Sequence, residues 1–266
     1  MSTAPEFSFA GLNKPWPANH AGASIRRADL LLIAAGIVAW LFVLNAVFGG
    51  GTNASNGWAS QPEEAFATTV RYGIFLSFAG FSGALLMLWA LARVRGYSPA
   101  VLGLSAPPTW GYLMIFPVWF LLGQILALTY SLGAGQPGVD ALMAVHSDYQ
   151  AAYQADPVSN FAYWAVVAVL RPLAMAIVFR GWVFGWLRLR MGFWPAALIA
   201  SALYAASFVG TYDHLLEVST HFYAATRALS LLIMGMVYCF MTEVSKSIWP
   251  AAALAVFTNM MALAAG

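Results

Sequence analysis

The sequence predicts an all-α protein, a polytopic transmembrane helical bundle of about seven spans with a cytoplasmic N-terminus. The observations behind this prediction are the composition, the lengths of the apolar runs and the placement of the basic residues. Of the 266 residues, 61% are hydrophobic and only 8% are charged. Soluble domains carry roughly a quarter charged residues, so this chain is expected to lie in lipid.

Seven apolar stretches are long enough to be membrane spans. A helix that crosses the ~30 Å hydrocarbon core needs ~20 residues. Lipid offers no hydrogen-bonding partner, so each span must satisfy its own backbone as a helix. The stretches are residues 30–49, 73–92, 111–133, 161–179, 193–210, 223–242 and 248–265.

The residues before the first span form a largely polar tail. Residues 1–28 are expected to be cytoplasmic, and residues 29–266 to form the transmembrane helical domain. The tail is far longer than the charged region of a signal peptide, which predicts that the first helix stays in the mature protein.

Basic residues predict the orientation, because Lys and Arg concentrate in the cytoplasmic loops of membrane proteins. With the N-terminus inside, nine of the twelve Lys and Arg residues fall in inner segments, while the outer loops hold mainly acidic residues. We therefore expect a multi-pass protein of the bacterial inner (cytoplasmic) membrane, N-in and C-out. The nine are Lys14, Arg26, Arg27, Arg93, Arg95, Arg180, Arg188, Arg190 and Lys246.

Charge and cysteine content exclude several other classes of protein. A formal net charge of +2, scattered along the chain, does not make a nucleic-acid surface. The single cysteine, Cys239, excludes an internal disulfide and a cysteine-based zinc cluster. Membrane lipids are the expected surroundings, and no cofactor is expected.

Two C-terminal segments carry a family resemblance. Residues 171–192 read RPLAMAIVFRGWVFGWLRLRMG and resemble the signature A-P-x-x-E-E-x-x-x-R-G of the CPBP family, matching it at Pro172, Arg180 and Gly181. This family of intramembrane proteases includes the type II CAAX prenyl endopeptidases and bacteriocin-processing homologues. Residues 235–250, GMVYCFMTEVSKSIWP, resemble the family's penultimate helix and the S-x-W-P start of its last one. Asn259 matches the asparagine of the closing H-x-x-x-N signature, so the resemblance implies a CPBP-like core at 160–265.

The catalytic residues that the resemblance implies are replaced. The paired glutamates fall on Met175 and Ala176, the histidine of F-x-x-x-H falls on Phe208, and the histidine of H-x-x-x-N falls on Ala255. None of these four side chains can act as a general base or as a zinc ligand. The resemblance therefore predicts a pseudoprotease without catalytic residues, in which only the arginine and the asparagine of the signatures remain.

The arginines of the fourth predicted span are candidate binding residues. Arg171 lies within the span, and either anchors a partner subunit, a lipid phosphate or another anion, or is satisfied by carbonyls near Pro172 or by snorkelling to water. Arg180 and Glu243 lie near the cytoplasmic ends of their helices and are candidates for a structural ion pair. The segment Gly181–Arg190 is expected at the membrane interface. The candidates for partner or ligand binding are Arg171, Arg180, Trp182 and Trp186.

His214, Glu217 and His221 form a second candidate site in the outer loop after the fifth span. On a helix these residues share one face, and imidazole and carboxylate are ligands that zinc accepts. The site would bind a metal or a pigment. The alternative is a solvated interfacial helix without a ligand.

We expect a non-catalytic integral membrane protein that acts as an accessory, assembly or scaffold subunit. Its partner would be another integral membrane protein or a multi-subunit membrane complex, bound through the CPBP-like bundle. Two alternatives stay open. One is a membrane-bound metal-dependent hydrolase or peptidase built on the outer His and Glu residues, and the other is a lipid or small-molecule binding protein that uses the vacated protease cavity.

Overall fold

A computed structural model gives the fold of the residues that it describes, which are 14, 78, 81–83, 85–96, 103–133, 161–162, 164–208 and 221–265. Within these ranges all regular structure is helical, as the composition predicted. The tail, apart from Lys14, and the first predicted span lie outside the described residues.

We number the helices in chain order. The first, α1, includes residues 81–83 and 85–95. Residues 165–188 run as one helix without a break, and we label this helix α4. The others are α2 (Thr109–Leu113), α3 (Ile115–Gly133), α5 (Phe193–Ala206), α6 (His221–Ser245) and α7 (Trp249–Ala265).

Helix α4 extends further than predicted. The fourth span was expected to end at residue 179, followed by an interfacial turn of helix from Gly181 to Arg190, but the helix continues without a break to Arg188. The position of these residues relative to the membrane interface stays a prediction. Trp182 and Phe184 in that segment are fully buried. The residues from 181 to 187 are all apolar or glycine, so bundle packing extends the span beyond the point where the charge of Arg180 suggested an end.

Much of α4 is wound more widely than an α-helix. Ala165–Leu170 and Ala176–Phe184 are π-helical, on either side of the α-helical turn Arg171–Met175. That turn contains Pro172, which lacks an N–H and presses its ring against the preceding turn. A wide turn directly before the proline relieves this clash. Such turns are frequent at functional sites, and the second one contains Arg180.

Two stretches of the described helices are long and apolar enough to cross a membrane, Ala168–Arg188 in α4 and Ala228–Ser245 in α6. Two others, Thr109–Ile125 and Phe193–Ala206, are apolar but shorter. All four overlap predicted spans. The number of spans and their orientation stay predictions.

Helix α4 is central in the described bundle, and α5, α6 and α7 all pack against it. Its residues Met175, Phe179 and Phe184 share a core with Phe193 and Tyr204 of α5. On another side, Trp182 packs with Leu88 and Ala92 of α1. Tyr238 of α6 belongs to a separate core with Leu254 and Ala255 of α7.

The turn between α6 and α7 is joined to residues 103–105. The backbone N–H of Ile248 donates to the Gly103 carbonyl at 2.9 Å, and the Ser247 hydroxyl donates to the Ser105 carbonyl at 2.8 Å. Gly103 has a φ of +67°, and a side chain there would meet Ile248 Cγ2 at 2.9 Å, so glycine is required. Ser247 Oγ also accepts from the Trp249 N–H, which caps α7 and explains the S-x-W-P pattern.

Helices α5 and α6 approach closely at Gly235. A Cβ built on Gly235 would lie 2.8 Å from the Ser201 Cβ and 3.0 Å from the Ser201 Cα. Neither atom can move aside as the tip of a flexible side chain can. Small residues at such crossings are the usual means by which membrane helices pack, and this glycine fixes the distance between the two helices.

We expect Gly235→Ala to lower the free energy of unfolding by about 1–3 kcal/mol, since overpacking a tight contact forces the backbone to shift. The measurement is the thermal midpoint of the full chain in mild detergent. Gly123→Ala is the matched control, because a Cβ at Gly123 meets nothing within 4 Å. Equal midpoints for the two variants would contradict the close approach at Gly235.

Candidate functional site

The four positions at which the family resemblance expects catalytic groups are apolar. Met175, Ala176 and Ala255 are buried, and Phe208 is half-buried. Met175 and Phe208 pack in the core shared by α4 and α5, whereas Ala255 packs in the core around Tyr238. Methyl, thioether and phenyl groups hold no proton that hydrolysis could use.

A line of cationic and aromatic side chains runs from these positions into the bundle. The Cζ of Arg171 lies 4.6 Å from the centre of the Phe208 ring. The Phe208 ring meets the Tyr204 ring edge to face, with 5.2 Å between centres. The next side chain is Arg180, whose Cζ lies 4.3 Å from the Tyr204 ring centre. The line thus passes from the half-buried Arg171 to a deeply buried second arginine.

Arg180 lies against two tyrosines. Its Cζ is 4.6 Å from the centre of the Tyr238 ring, and only 3% of the residue is exposed. The centres of the Tyr204 and Tyr238 rings are 6.4 Å apart and their planes are inclined at 78°, so the two rings lie on adjacent sides of the cation. A desolvated cation over an aromatic face gains about 2 kcal/mol or more. The N–H groups of the guanidinium lie in its plane and need acceptors of their own.

For one of these groups the acceptor is absent among the atoms that the structure describes. Nη2 of Arg180 is buried and donates no hydrogen bond there, and no acidic residue forms a salt bridge with this arginine within that set. A buried charge without a partner costs several kcal/mol. An orphaned donor of this kind calls for a physical explanation.

The hydroxyl of Ser201 is a second buried polar group in the same region. Its Oγ has no oxygen or nitrogen partner among the described atoms, and its partner is the thiol of Cys239, which forms only weak hydrogen bonds. Cys239 is also within electrostatic reach of Arg180. Ser201 precedes Tyr204 by three residues on α5, which places both on the same side of that helix.

Arg188, eight residues further along α4, is fully paired by contrast. Its Nε donates to Glu243 Oε2 at 2.9 Å and its Nη2 to Glu243 Oε1 at 3.0 Å. Its Nη1 donates to the carbonyls of Lys14 and Met191, both at 2.9 Å. Two parallel bonds to one carboxylate are the geometry that best compensates a buried guanidinium.

The ion pair predicted between Arg180 and Glu243 is therefore wrong. Glu243 binds Arg188 in that place and also accepts a bond from Lys246 at 2.9 Å. The prediction failed because it ended α4 too early. The helix extends through the apolar residues up to 187, so Arg188 is the charged residue at its end. There it pairs with the Glu243 carboxylate. Arg180 then lies ~12 Å further in along the axis.

The contact of Lys14 places part of the N-terminal tail against the end of the bundle where α4 and α6 meet. The α6–α7 turn and residues 103–105 also lie at this end. All of these belong to segments that the distribution of basic residues predicts to be cytoplasmic. Their position at one end agrees with that prediction, and the side of the membrane stays a prediction.

The other candidate residues have different positions. Trp182 is fully buried and offers no docking surface, although a ligand inside the bundle could reach it. Trp186 is half-buried and carries the Arg190 guanidinium 4.0 Å from its ring centre. Asn259 is half-buried on α7. Their roles in binding stay predictions.

The side chains of the predicted metal or pigment site lie outside the part of the chain that the structure describes. His214 and Glu217 are not among the described residues, and for His221 only the backbone, at the start of α6, is described. Within the described set, no three His, Cys, Asp or Glu side chains gather as a metal site would require. The site stays an untested prediction.

Comparison with known proteins gives one match. Residues 157–261 match the family model described as type II CAAX prenyl endopeptidase Rce1-like. This range contains all four apolar replacements, both buried arginines and Glu243. No curated protein and no solved structure matches the chain.

We expect Glu243→Gln to destabilise the protein by about 3–5 kcal/mol, because the buried Arg188 guanidinium loses its counter-charge. Lys246→Gln is the matched control. It removes the other contact of the same carboxylate, but Lys246 is exposed, so we expect a loss of no more than about 1 kcal/mol. Thermal unfolding of both variants in one detergent measures the difference. A Glu243→Gln protein as stable as Lys246→Gln would contradict the central role of the Arg188 pair.

Proposed function

We propose that this protein is a non-catalytic membrane protein, because residues 157–261 match the type II CAAX prenyl endopeptidase Rce1-like family model and the positions at which the resemblance expects catalytic groups hold apolar residues. It acts as an accessory, assembly or scaffold subunit and binds another integral membrane protein or complex through its helical bundle. Its expected location is a bacterial inner membrane, with the N-terminus inside.

One observation carries this proposal. Glu243 is the only acidic residue among those that the structure describes, and both of its carboxylate oxygens are bound to Arg188, with Lys246 beside it. A carboxylate in a buried bidentate pair is not available to accept a proton from water. The positions that would supply a base in the family hold Met175 and Ala176.

The retained packing supports a binding role. The chain keeps the family's Arg180, Asn259 and S-x-W-P turn, and that turn still caps α7 and joins residues 103–105. A fold that is preserved without its catalytic groups can act only through the partners or ligands that its surfaces bind. The removal of ionisable groups also stabilises a bundle in lipid, because each costs roughly 2.5–3.5 kcal/mol on insertion scales.

Copurification tests the proposal. We expect the full chain, tagged and extracted in mild detergent from its native membrane, to be recovered with one membrane protein in fixed stoichiometry. Crosslinking before extraction should give the same pair, and mass spectrometry identifies it. A chain recovered alone as a monomer, in detergent and after crosslinking, would contradict the subunit role. Hydrolysis of membrane peptides by that monomer would contradict the non-catalytic role as well.

A further inference from the structure

We propose that Arg180 is the binding point for an anionic oxygen group, a carboxylate or a phosphate, that reaches the interior of the bundle between α4, α5 and α6. The acceptor that the guanidinium lacks would then come from a ligand. This proposal rests on the non-catalytic half of the proposed function, that the bundle interior binds rather than hydrolyses. It does not require a partner protein.

The unmet hydrogen-bonding capacity is the first argument. Two guanidinium groups of the same helix are buried, and they differ in the hydrogen-bond acceptors that they have. Arg188 donates to a carboxylate and to two carbonyls, whereas no atom that the structure describes accepts from the buried Nη2 of Arg180. A guanidinium keeps its charge in proteins and presents its donors as a planar fork. Carboxylate and phosphate oxygens fit that fork.

The contact with two rings is the second argument. Tyr204 and Tyr238 lie on adjacent sides of the Arg180 guanidinium, with ring centres 4.3 and 4.6 Å from its Cζ and ring planes inclined at 78° to each other. Two rings packed against the buried group restrict its position before any ligand arrives. Preorganisation of this kind lowers the entropy lost on binding. The buried Ser201 hydroxyl, whose side-chain partner is the weakly bonding thiol of Cys239, lies one turn before Tyr204 and is a second donor in the same region.

The replacement at Ala176 is the third argument. This residue lies four positions before Arg180 on the same π-helical segment, and residues so spaced are neighbours on a helix surface. The family signature places a glutamate there. Here the position holds a methyl group, which removes a negative charge from beside the guanidinium and keeps the positive one. A carboxylate carried by a ligand would replace the missing charge.

The surroundings fit a ligand with an apolar tail. Phe208 is part of the line of side chains that leads from Arg171 to Arg180, and Met175 packs in the same core as Phe208 and Tyr204. A fatty acid or an anionic lipid would place its head at Arg180 and its tail along these groups. A free inorganic anion has the same head chemistry without the tail, so the experiment must distinguish the two sources.

The experiment is ligand binding to the full-length protein after delipidation in detergent, followed by thermal shift and native mass spectrometry. The probes are oleate, oleyl alcohol and inorganic phosphate. Oleate and oleyl alcohol differ only in the charged head, so stabilisation by oleate alone assigns the site to an anionic amphiphile. Stabilisation by phosphate alone assigns it to a free anion. Either result supports the proposal if it depends on Arg180.

Three variants test that dependence. Arg180→Met, which keeps the apolar length of the side chain, should weaken binding by about 30-fold or more, as loss of one partner from a buried charge pair does. Ala176→Glu should block binding although Arg180 is retained, because the new carboxylate would form an ion pair with the guanidinium in place of the ligand. Arg190→Gln is the matched control. It removes an exposed charge two residues after the end of α4 and should bind like the unmodified protein.

Three results would overturn the proposal. One is the absence of binding by oleate and by phosphate. Another is equal binding by Arg180→Met and the unmodified protein. The third is full binding by Ala176→Glu. If Arg180→Met does not fold, binding by Ala176→Glu and Arg180→Lys tests the proposal in its place. The lysine variant keeps the charge and should still bind. None of these readouts measures hydrolysis or a protein partner, so the proposal can fail while the proposed function stands.

Discussion

The bidentate bond between Arg188 and Glu243 is the interaction on which the rest of this structure depends. It joins the end of the central helix α4 to α6, and it also binds the N-terminal tail through the Lys14 carbonyl. In a low-dielectric interior, a charge is tolerated only with a partner of matching geometry. Because this pair uses the one carboxylate among the described residues, every other charge in that part of the bundle must be satisfied by other means.

Arg180 illustrates the consequence. With Glu243 committed to Arg188, the inner arginine is stabilised by Tyr204 and Tyr238 alone among the described atoms. The same distribution of charge supports the proposed non-catalytic role. Activation of a water molecule requires a free base close to donors for the developing oxyanion. Arg180 offers donors, but the positions at which the family resemblance expects the base hold Met175 and Ala176, so we propose that the bundle holds an anion and does not hydrolyse a peptide.

Much of the fold could be predicted from the sequence, and the exceptions have physical causes. Helical class follows from apolar run length, and α6 and α7 begin and end within a few residues of their predicted bounds. The end of α4 was misjudged because Arg180 was read as a boundary charge, whereas cation–π contacts make it tolerable inside the bundle. The partner of Glu243 was missed for the same reason. The contacts of Arg180 with α5 and α6 join residues far apart in sequence, and a single sequence contains no signal for them beyond the Tyr204 to Phe208 spacing.

The most direct test is an experimental density map of the full chain in lipid discs, resolved to side chains around α4. The account predicts the Arg188–Glu243 pair, Arg180 in contact with Tyr204 and Tyr238, and no carboxylate or imidazole of this chain within about 3.5 Å of the Arg180 guanidinium. Nine of the ten acidic residues lie outside the described ranges. If one of them, or His214, reached Arg180 in a water-filled pocket, a base would be present and the non-catalytic account would be wrong.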